Sequence, residues 1–123
     1  MSALAQEYVT LGAPVKAALD TFTNGLAALG DNPKAADVAR LATPAIAALK
    51  SFDQGLLREP WPPNVKTDVN AVVTADRTLE LDLGAVGSQN ASAWANQFAS
   101  DEGKLSAAFS IVRADLGLPP TSG

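Results

Sequence analysis

Cysteine and histidine are both absent from this chain of 123 residues. Their absence excludes disulfides, zinc fingers, thiolate nucleophiles and Ser-His-Asp triads, and it also removes the usual axial ligand of haem. Most enzyme classes therefore lose their commonest catalytic group. The sequence predicts a protein that is not an enzyme and that holds neither a metal nor a cofactor.

Basic side chains are also scarce, with 9 of them against 13 acidic ones and a formal net charge of −4. Because nucleic-acid affinity comes largely from clustered Lys and Arg, we expect no nucleic-acid partner. No apolar run approaches the roughly 18 residues of a membrane span, and no signal-peptide pattern opens the chain. The length predicts one domain, residues 1–123, able to bury a sizeable core.

Against these absences stands an internal similarity in each half of the chain. In the first half the segment around Pro14 resembles the segment around Pro44, an offset of 30 residues. The matched positions are Leu11, Pro14, Ala17, Ala18, Leu19, Phe22, Gly25 and Leu26 with Leu41, Pro44, Ala47, Ala48, Leu49, Phe52, Gly55 and Leu56.

In the second half the segment led by Trp61 resembles the segment led by Trp94, an offset of 33 residues. The matched positions are Trp61, Val65, Asp68, Val72, Ala75, Leu79, Asp82, Leu83 and Gly84 with Trp94, Phe98, Asp101, Leu105, Ala108, Val112, Asp115, Leu116 and Gly117. Such periods are typical of repeated supersecondary units. A helix with its connection fills each period.

Apolar residues recur every three or four positions, which predicts helices over about 3–30, 33–57, 63–86 and 90–116, with a loose tail over 118–123. The segment Pro60-Trp61-Pro62-Pro63 predicts a stiff corner, because proline lacks an amide donor. Gly84, Gly87, Ser88 and Asn90 predict the next break. Short connections favour antiparallel neighbours, so the predicted fold is all-α, an up-down-up-down four-helix bundle with two internally repeated helix pairs.

Pro14 and Pro44 interrupt otherwise continuous helical patterns. One interpretation is that the two prolines bend the first two helices apart and leave an apolar cavity for a lipid-like ligand, lined by Phe22, Leu49 and Phe52. The alternatives are that the neighbouring alanines allow close packing, or that each proline begins a new helix after a short preceding one.

Asp76 falls near the centre of the apolar stripe of the third predicted helix. A carboxylate there must be hydrogen-bonded, paired or raised in pKa. It is a candidate interior anchor for the polar end of a ligand. The alternative is a buried polar contact that fixes helix register, toward Tyr8, Thr23 or Arg40.

The matched pair Asp68 and Asp101 resembles a carboxylate metal site at first sight. Helical di-iron sites, however, need Glu-x-x-His pairs, which this chain lacks. An aspartate near the start of a helix is favoured by the exposed amides. The sequence therefore predicts no metal ligands, and we expect the two aspartates to lie apart.

Trp61 and Trp94 each lie at or near the beginning of a helix. Such a residue can pack back on the next turn as a hydrophobic staple. The alternative is partial exposure beside the proline-rich corner, where tryptophan would serve as a recognition residue for a partner protein.

The blocks WPPNVKTDVNAVVTADRTLELDL and AAFSIVRADLGLPP, with the alanine-rich and lysine-poor composition, resemble small helical secreted proteins and lipoproteins of actinobacteria. Those proteins have no assigned activity, so no catalytic residue carries over. The resemblance implies a location outside the cytoplasmic membrane, either secreted or tethered to the cell envelope through a lipid.

These observations together predict a non-enzymatic helical bundle of the cell envelope that binds an apolar ligand or an envelope protein. The candidate binding residues are Trp61, Trp94, Asp76, Phe22, Leu49 and Phe52. One alternative is a self-associating structural module or an accessory subunit of a membrane-associated complex. Another is an enzyme acting through Asp76 and Tyr8, although carboxylate-only chemistry requires two acids that face one cleft.

Overall fold

The computed structural model describes residues 2–30, 33–86 and 91–119, and these residues form four α-helices without any strand. The helices are α1 (Ala3–Ala28), α2 (Ala35–Arg58), α3 (Pro63–Gly84) and α4 (Ala91–Asp115). The predicted all-α class and its four helices are confirmed. The break predicted at 87–90 lies outside the described residues.

Local chemistry accounts for several helix ends. The side chain of Ser2 accepts a hydrogen bond from the amide of Ala5 at 3.1 Å and so caps the start of α1. Gly30 and Gly117 follow α1 and α4 with φ angles of 84° and 71°, a left-handed conformation that glycine adopts without steric cost. These glycines are the helix stops that the sequence indicates.

The chain beyond α4 folds back onto the bundle. The amide of Leu118 donates to the carbonyl of Arg113 at 2.8 Å, the amide of Gly117 donates to Ala114, and the Leu118 side chain is buried. This is a Schellman closure with its usual hydrophobic contact. The prediction of a loose tail from residue 118 is therefore wrong at Leu118, while 120–123 lie outside the described residues.

Both interior prolines lie within continuous helices, Pro14 in α1 and Pro44 in α2. The alternative in which each proline begins a new helix is therefore wrong. Both proline side chains are exposed, so the missing amides lie on the solvent side. The carbonyls one turn earlier, at Thr10 and Arg40, can bond to water there, which reduces the cost of the interruption.

Close packing joins each helix to the next one along the chain, whereas the backbones of α1 and α4 approach each other less closely. Side chains bridge α1 and α4 instead. The ring of Phe22 lies 6.1 Å from the ring of Trp94 and 5.7 Å from that of Phe98, centroid to centroid. The largest fully buried hydrophobic side chains are Phe22, Leu49, Leu56, Leu79, Leu83, Val69, Val72 and Val112.

The contact between α1 and α2 contains two leucine–glycine pairs. A Cβ atom built on Gly55 would lie 2.6 Å from Leu11, and one built on Gly25 would lie 2.8 Å from Leu41. Leu11 and Gly25 are the positions that match Leu41 and Gly55 at the 30-residue offset, so each leucine packs on the glycine of the other segment. The absence of a side chain at both glycines lets the two helices approach closely.

We expect Gly55→Leu to lower the free energy of unfolding by about 1–3 kcal/mol, because the new side chain overpacks the contact with Leu11. Adding Leu11→Ala should recover part of this loss, since it vacates the space. Gly103→Leu is the matched control, because a Cβ at Gly103 meets nothing within 4 Å. Urea unfolding of the single and double variants measures the coupling, and strictly additive losses would contradict the pairing.

Candidate functional site

An apolar cleft of about 390 Å³ lies between α1 and α4, with Phe52 of α2 also lining it. Most of its surface is apolar and comes from Val9, Gly12, Ala13, Leu19, Phe52 and Phe109. A cleft of this size and lining falls within the range of small-molecule binding sites. The sequence predicts an apolar cavity between α1 and α2, whereas this cleft opens between α1 and α4.

The cleft forms because α1 presents small residues in the region where α4 lies farther from it. A Cβ atom on Gly12 would lie 3.9 Å from Phe52 Cε1, an ordinary contact distance, and Ala13 is exposed. Across the cleft the ring of Phe109 packs on Phe52 at 5.8 Å between centroids. Two aromatic rings and the small face of α1 therefore form an apolar slot that is open to solvent.

Charged side chains lie at different positions along the cleft. Lys16 pairs with Asp20 at 3.1 Å, and both side chains are largely exposed. Glu102 of α4 faces the same region, where burial and then the charge of Asp20 raise its pKa. Arg113 lies at the other end, and its Nε donates to the carbonyl of Pro119 at 2.7 Å. One end of the cleft therefore has two carboxyl groups and one lysine, and the other end has an arginine.

Tyr8 lies at the Arg113 end and is only 4% exposed. Its ring packs against Phe52 and Trp61, each at 6.3 Å between centroids. The buried hydroxyl has no hydrogen-bond partner among the described residues. Burial raises the pKa of Tyr8 above its usual range, Asp76 adds to this increase, and Arg113 opposes it. Tyr8 is therefore neutral at physiological pH and keeps a free O–H donor.

Asp76 is completely buried, and it faces the buried Asp53 of α2. Neither oxygen of Asp76 has an N–H or O–H donor among the described residues, and Asp53 Oδ1 also lacks one. Burial, followed by a hydrogen bond with Asp53 and by the charges of Asp53 and Glu80, raises the pKa of Asp76 to about 10. A proton on Asp76 supplies the missing donor, which a carboxyl oxygen of Asp53 can accept.

Glu80 joins this pair from the next turn of α3. Burial and then Asp53 raise the pKa of Glu80 to about 7, against the lowering effect of Lys50 and Arg77. The partners expected for Asp76 were Tyr8, Thr23 or Arg40. Thr23 is exposed and Arg40 pairs with Asp37 at 3.5 Å on the surface, so neither bonds to Asp76. Asp76 raises the pKa of Tyr8 through its charge, but no hydrogen bond joins the two, and the direct partner of Asp76 is Asp53.

Two further carboxyl pairs join α3 to α4. Asp82 pairs with the buried Asp101, and burial followed by this contact raises the pKa of Asp82 to about 7. The pKa of Asp101 is lowered by the hydrogen bond from Asp82 and then by that from Gln97, whose Nε2 donates at 2.9 Å. Asp68 pairs with Asp115, and that hydrogen bond raises the pKa of Asp115.

The expected separation of Asp68 and Asp101 therefore holds, since each pairs with a different residue. Asp68 pairs with Asp115, and Asp101 pairs with Asp82. Asp82 and Asp115 are also matched positions at the 33-residue offset. Within the part of the chain that the structure describes, no three potential ligands are grouped so that they could hold a metal ion. These aspartates instead form carboxyl–carboxyl contacts between helices.

Trp61 and Trp94 are buried, at 6% and 5% exposure. Each indole N–H donates to a carbonyl near the end of the preceding helix, Trp61 to Leu56 at 2.8 Å and Trp94 to Asp82 at 2.7 Å. These carbonyls lie in the last turns of α2 and α3, where helices lack internal donors. The alternative of an exposed recognition patch at the two tryptophans is therefore wrong, because both indoles are buried and serve as donors to helix-terminal carbonyls.

The remaining candidates divide between core and cleft. Phe22 and Leu49 are fully buried and do not line the cleft, whereas Phe52 is buried in the core and also contributes to the cleft. Sequence reasoning missed Asp53, Phe109 and Gly12. Asp53 follows Leu49 by four positions and so lies on the apolar stripe of α2, a signal that could have identified it. Nothing in the helical spacing indicates that α1 and α4 stand apart.

Over residues 2–30, 33–86 and 91–119, no helix combines the length and the hydropathy that crossing a bilayer requires. Comparison with known proteins found no matching protein family, no similar curated protein and no similar solved structure. The chemistry of the cleft and of the buried Asp53–Asp76 pair is therefore the basis for assigning a function.

Proposed function

We propose that this chain is a non-enzymatic helical bundle that binds an apolar ligand in the cleft between α1 and α4. The observation that carries the proposal is the cleft itself, about 390 Å³ in volume and lined mostly by apolar side chains. An exposed apolar slot of this kind is unfavourable in water unless something occupies it. A ligand chain that contacts Phe52, Phe109 and Ala13 would remove that surface from water.

The absence of catalysis belongs to the proposal and is supported by the position of the acids. Carboxylate-only chemistry needs two acids that a substrate can reach. Asp53 and Asp76, the pair with the most perturbed environment, are buried against each other between α2 and α3. Such a pair is suited to holding helices together, not to reaching a substrate.

An up-down-up-down arrangement and the repeated helix pairs also belong to the proposal. Contacts between the first part of one helix and the last part of the next support the arrangement, as between Leu11 and Gly55 and between Asp68 and Asp115. In the leucine–glycine contacts of α1 with α2, each leucine packs on the glycine of the matched segment, and the aspartates of α3 and α4 pair in the same reciprocal way. These reciprocal contacts support two related helix pairs. The cell-envelope location rests on the resemblance to actinobacterial secreted proteins and lipoproteins alone.

The test blocks the cleft without unfolding the bundle. Gly12→Leu places a branched side chain beside Phe52, where a Cβ atom fits at 3.9 Å, and it also replaces a helical glycine by a better helix former. We expect the variant to be as stable as the wild type but to lose at least tenfold in affinity for the neutral fluorophore N-phenylnaphthylamine. Fluorescence titration gives the affinity, and urea unfolding gives the stability.

Gly103→Leu is the matched control, since its new side chain points into open space and adds the same helix propensity. The control should bind the fluorophore as the wild type does. Equal binding by all three proteins would contradict the cleft as the site. Sedimentation at micromolar concentrations distinguishes ligand binding from the competing function, self-association. If the wild type is a dimer and Gly12→Leu dissociates it, a second copy of the chain covers the cleft.

A further inference from the structure

The cleft is asymmetric in charge along its length. Arg113 and Tyr8 lie at one end, and Asp20 and Glu102 lie toward the other. The intervening surface is mostly apolar and includes Ala13, while Lys16 on the same stretch is paired with Asp20. On α1 the distance from Tyr8 to Leu19 is about 16 Å at 1.5 Å per residue, which suits an extended alkyl chain.

Resting on the proposed function, we infer that the cleft is specific for an amphipathic anion, a single-chain carboxylate whose headgroup binds Arg113 and the Tyr8 hydroxyl. The buried hydroxyl of Tyr8 has no acceptor among the described residues, and a buried donor without an acceptor is costly. Because Tyr8 also lines the cleft, a ligand carboxylate bound there would provide that acceptor once the ring turns its hydroxyl out of the interior.

Arg113 provides the charge at the same end of the cleft. Its Nε is engaged by Pro119, and its other N–H groups bond to no described residue. A guanidinium whose terminal nitrogens bond to no residue of the described ranges suits a carboxylate, which accepts two N–H bonds side by side. Lys16, the other cationic side chain that lines the cleft, is already paired with Asp20.

The acidic core does not oppose an anion at this end. Asp76 influences Tyr8 and is therefore near it, but its carboxyl remains protonated up to about pH 10. A neutral Asp76 does not repel a ligand carboxylate. At the opposite end the Asp20 charge is balanced by Lys16, and Glu102 disfavours a headgroup bound in the reverse orientation. The arrangement of charges therefore also sets the direction of the chain.

The experiment compares three probes with the same dodecyl chain by isothermal titration calorimetry, the two ionic probes below their micelle-forming concentrations and dodecanol below its solubility limit. The probes are dodecanoate, dodecanol and dodecyltrimethylammonium. We expect dodecanoate to bind at least tenfold more tightly than dodecanol, with the cation weakest. Arg113→Gln and Tyr8→Phe should each weaken dodecanoate roughly tenfold, the usual cost of losing a hydrogen bond to a charged group, and should leave dodecanol unchanged.

Arg40→Gln is the control, because Arg40 is exposed and pairs with Asp37 away from the cleft. It should change none of the three affinities. Equal binding of dodecanoate and dodecanol would overturn the headgroup site while leaving the apolar cleft intact. Preferred binding of the cation would overturn it in favour of the Asp20 end. No binding of any probe by the wild type would overturn the proposed function, and this inference with it.

Discussion

Replacing Asp76 by asparagine is expected to remove much of the pH dependence of stability and to make the protein more stable above pH 7. Asparagine has the shape of a protonated aspartate, and its amide can donate to Asp53 as the proton on Asp76 does. It carries no charge at any pH. The variant therefore keeps the hydrogen bond and avoids the cost of ionising a completely buried carboxyl group.

The sign of the effect follows from the pKa of Asp76, which burial and Asp53 raise to about 10 in the folded protein from 3.8. Below pH 4 both the folded and the unfolded states hold this proton, so its full contribution to stability is present. Between about pH 4 and pH 10 the unfolded chain releases the proton and the folded chain keeps it. The free energy of unfolding contributed by this group therefore falls as the pH rises through this interval.

Glu80 and Asp82 act in the same direction over a narrower range. Burial and the neighbouring aspartates raise the pKa of each to about 7, so their contribution is lost between about pH 4 and pH 7. Both side chains are only half-buried, and solvent screening reduces their effect. Asp101 opposes the trend, because its lowered pKa gives a contribution that is lost on acidification.

Urea unfolding between pH 4.5 and pH 9 tests this prediction. The wild type should lose stability steadily as the pH rises, and Asp76→Asn should lose much less. The surface substitution Asp37→Asn is the control and should leave the wild-type slope in place, since Asp37 forms only a surface ion pair with Arg40. Parallel pH profiles for the wild type and Asp76→Asn would contradict an interior proton on Asp76.

The helices were predictable because their signals are local. Apolar residues recur every three or four positions, and Gly30, Gly117 and the Pro60–Pro63 segment mark the ends of helices. The burial of Phe22 and Leu49 follows from the same periodicity. The isolated position of Asp76 on an apolar stripe also predicted correctly that its carboxyl group is buried.

The functional geometry was not predictable because it depends on how helices meet. Helical spacing puts Asp53 on the inner face of α2 and Asp76 on that of α3, but only packing brings the two carboxyl groups together. The cleft likewise arises from the separation of α1 and α4, to which Gly12 and Phe109 contribute from different helices. Such a separation leaves no periodic trace in either helix.

Phe22→Ala is expected to lower the free energy of unfolding by about 3–5 kcal/mol, the usual cost of removing a buried phenylalanine ring. Phe22 is 1% exposed, and its ring joins α1 to Trp94 and Phe98 of α4. Because the α1 and α4 backbones do not pack closely, little else compensates for the loss of that contact. The resulting cavity would weaken the attachment of α1 as well as the core.

Phe109→Ala provides the comparison that separates core from cleft. Phe109 is only half-buried and lines the cleft, so its removal should cost clearly less stability than that of Phe22 while weakening N-phenylnaphthylamine binding more. Urea unfolding, fluorophore titration and hydrogen exchange along α1 measure the three effects. Equal losses of stability for the two variants would mean that α1 and α4 pack against each other along the whole cleft. The cleft could then not be an open binding site.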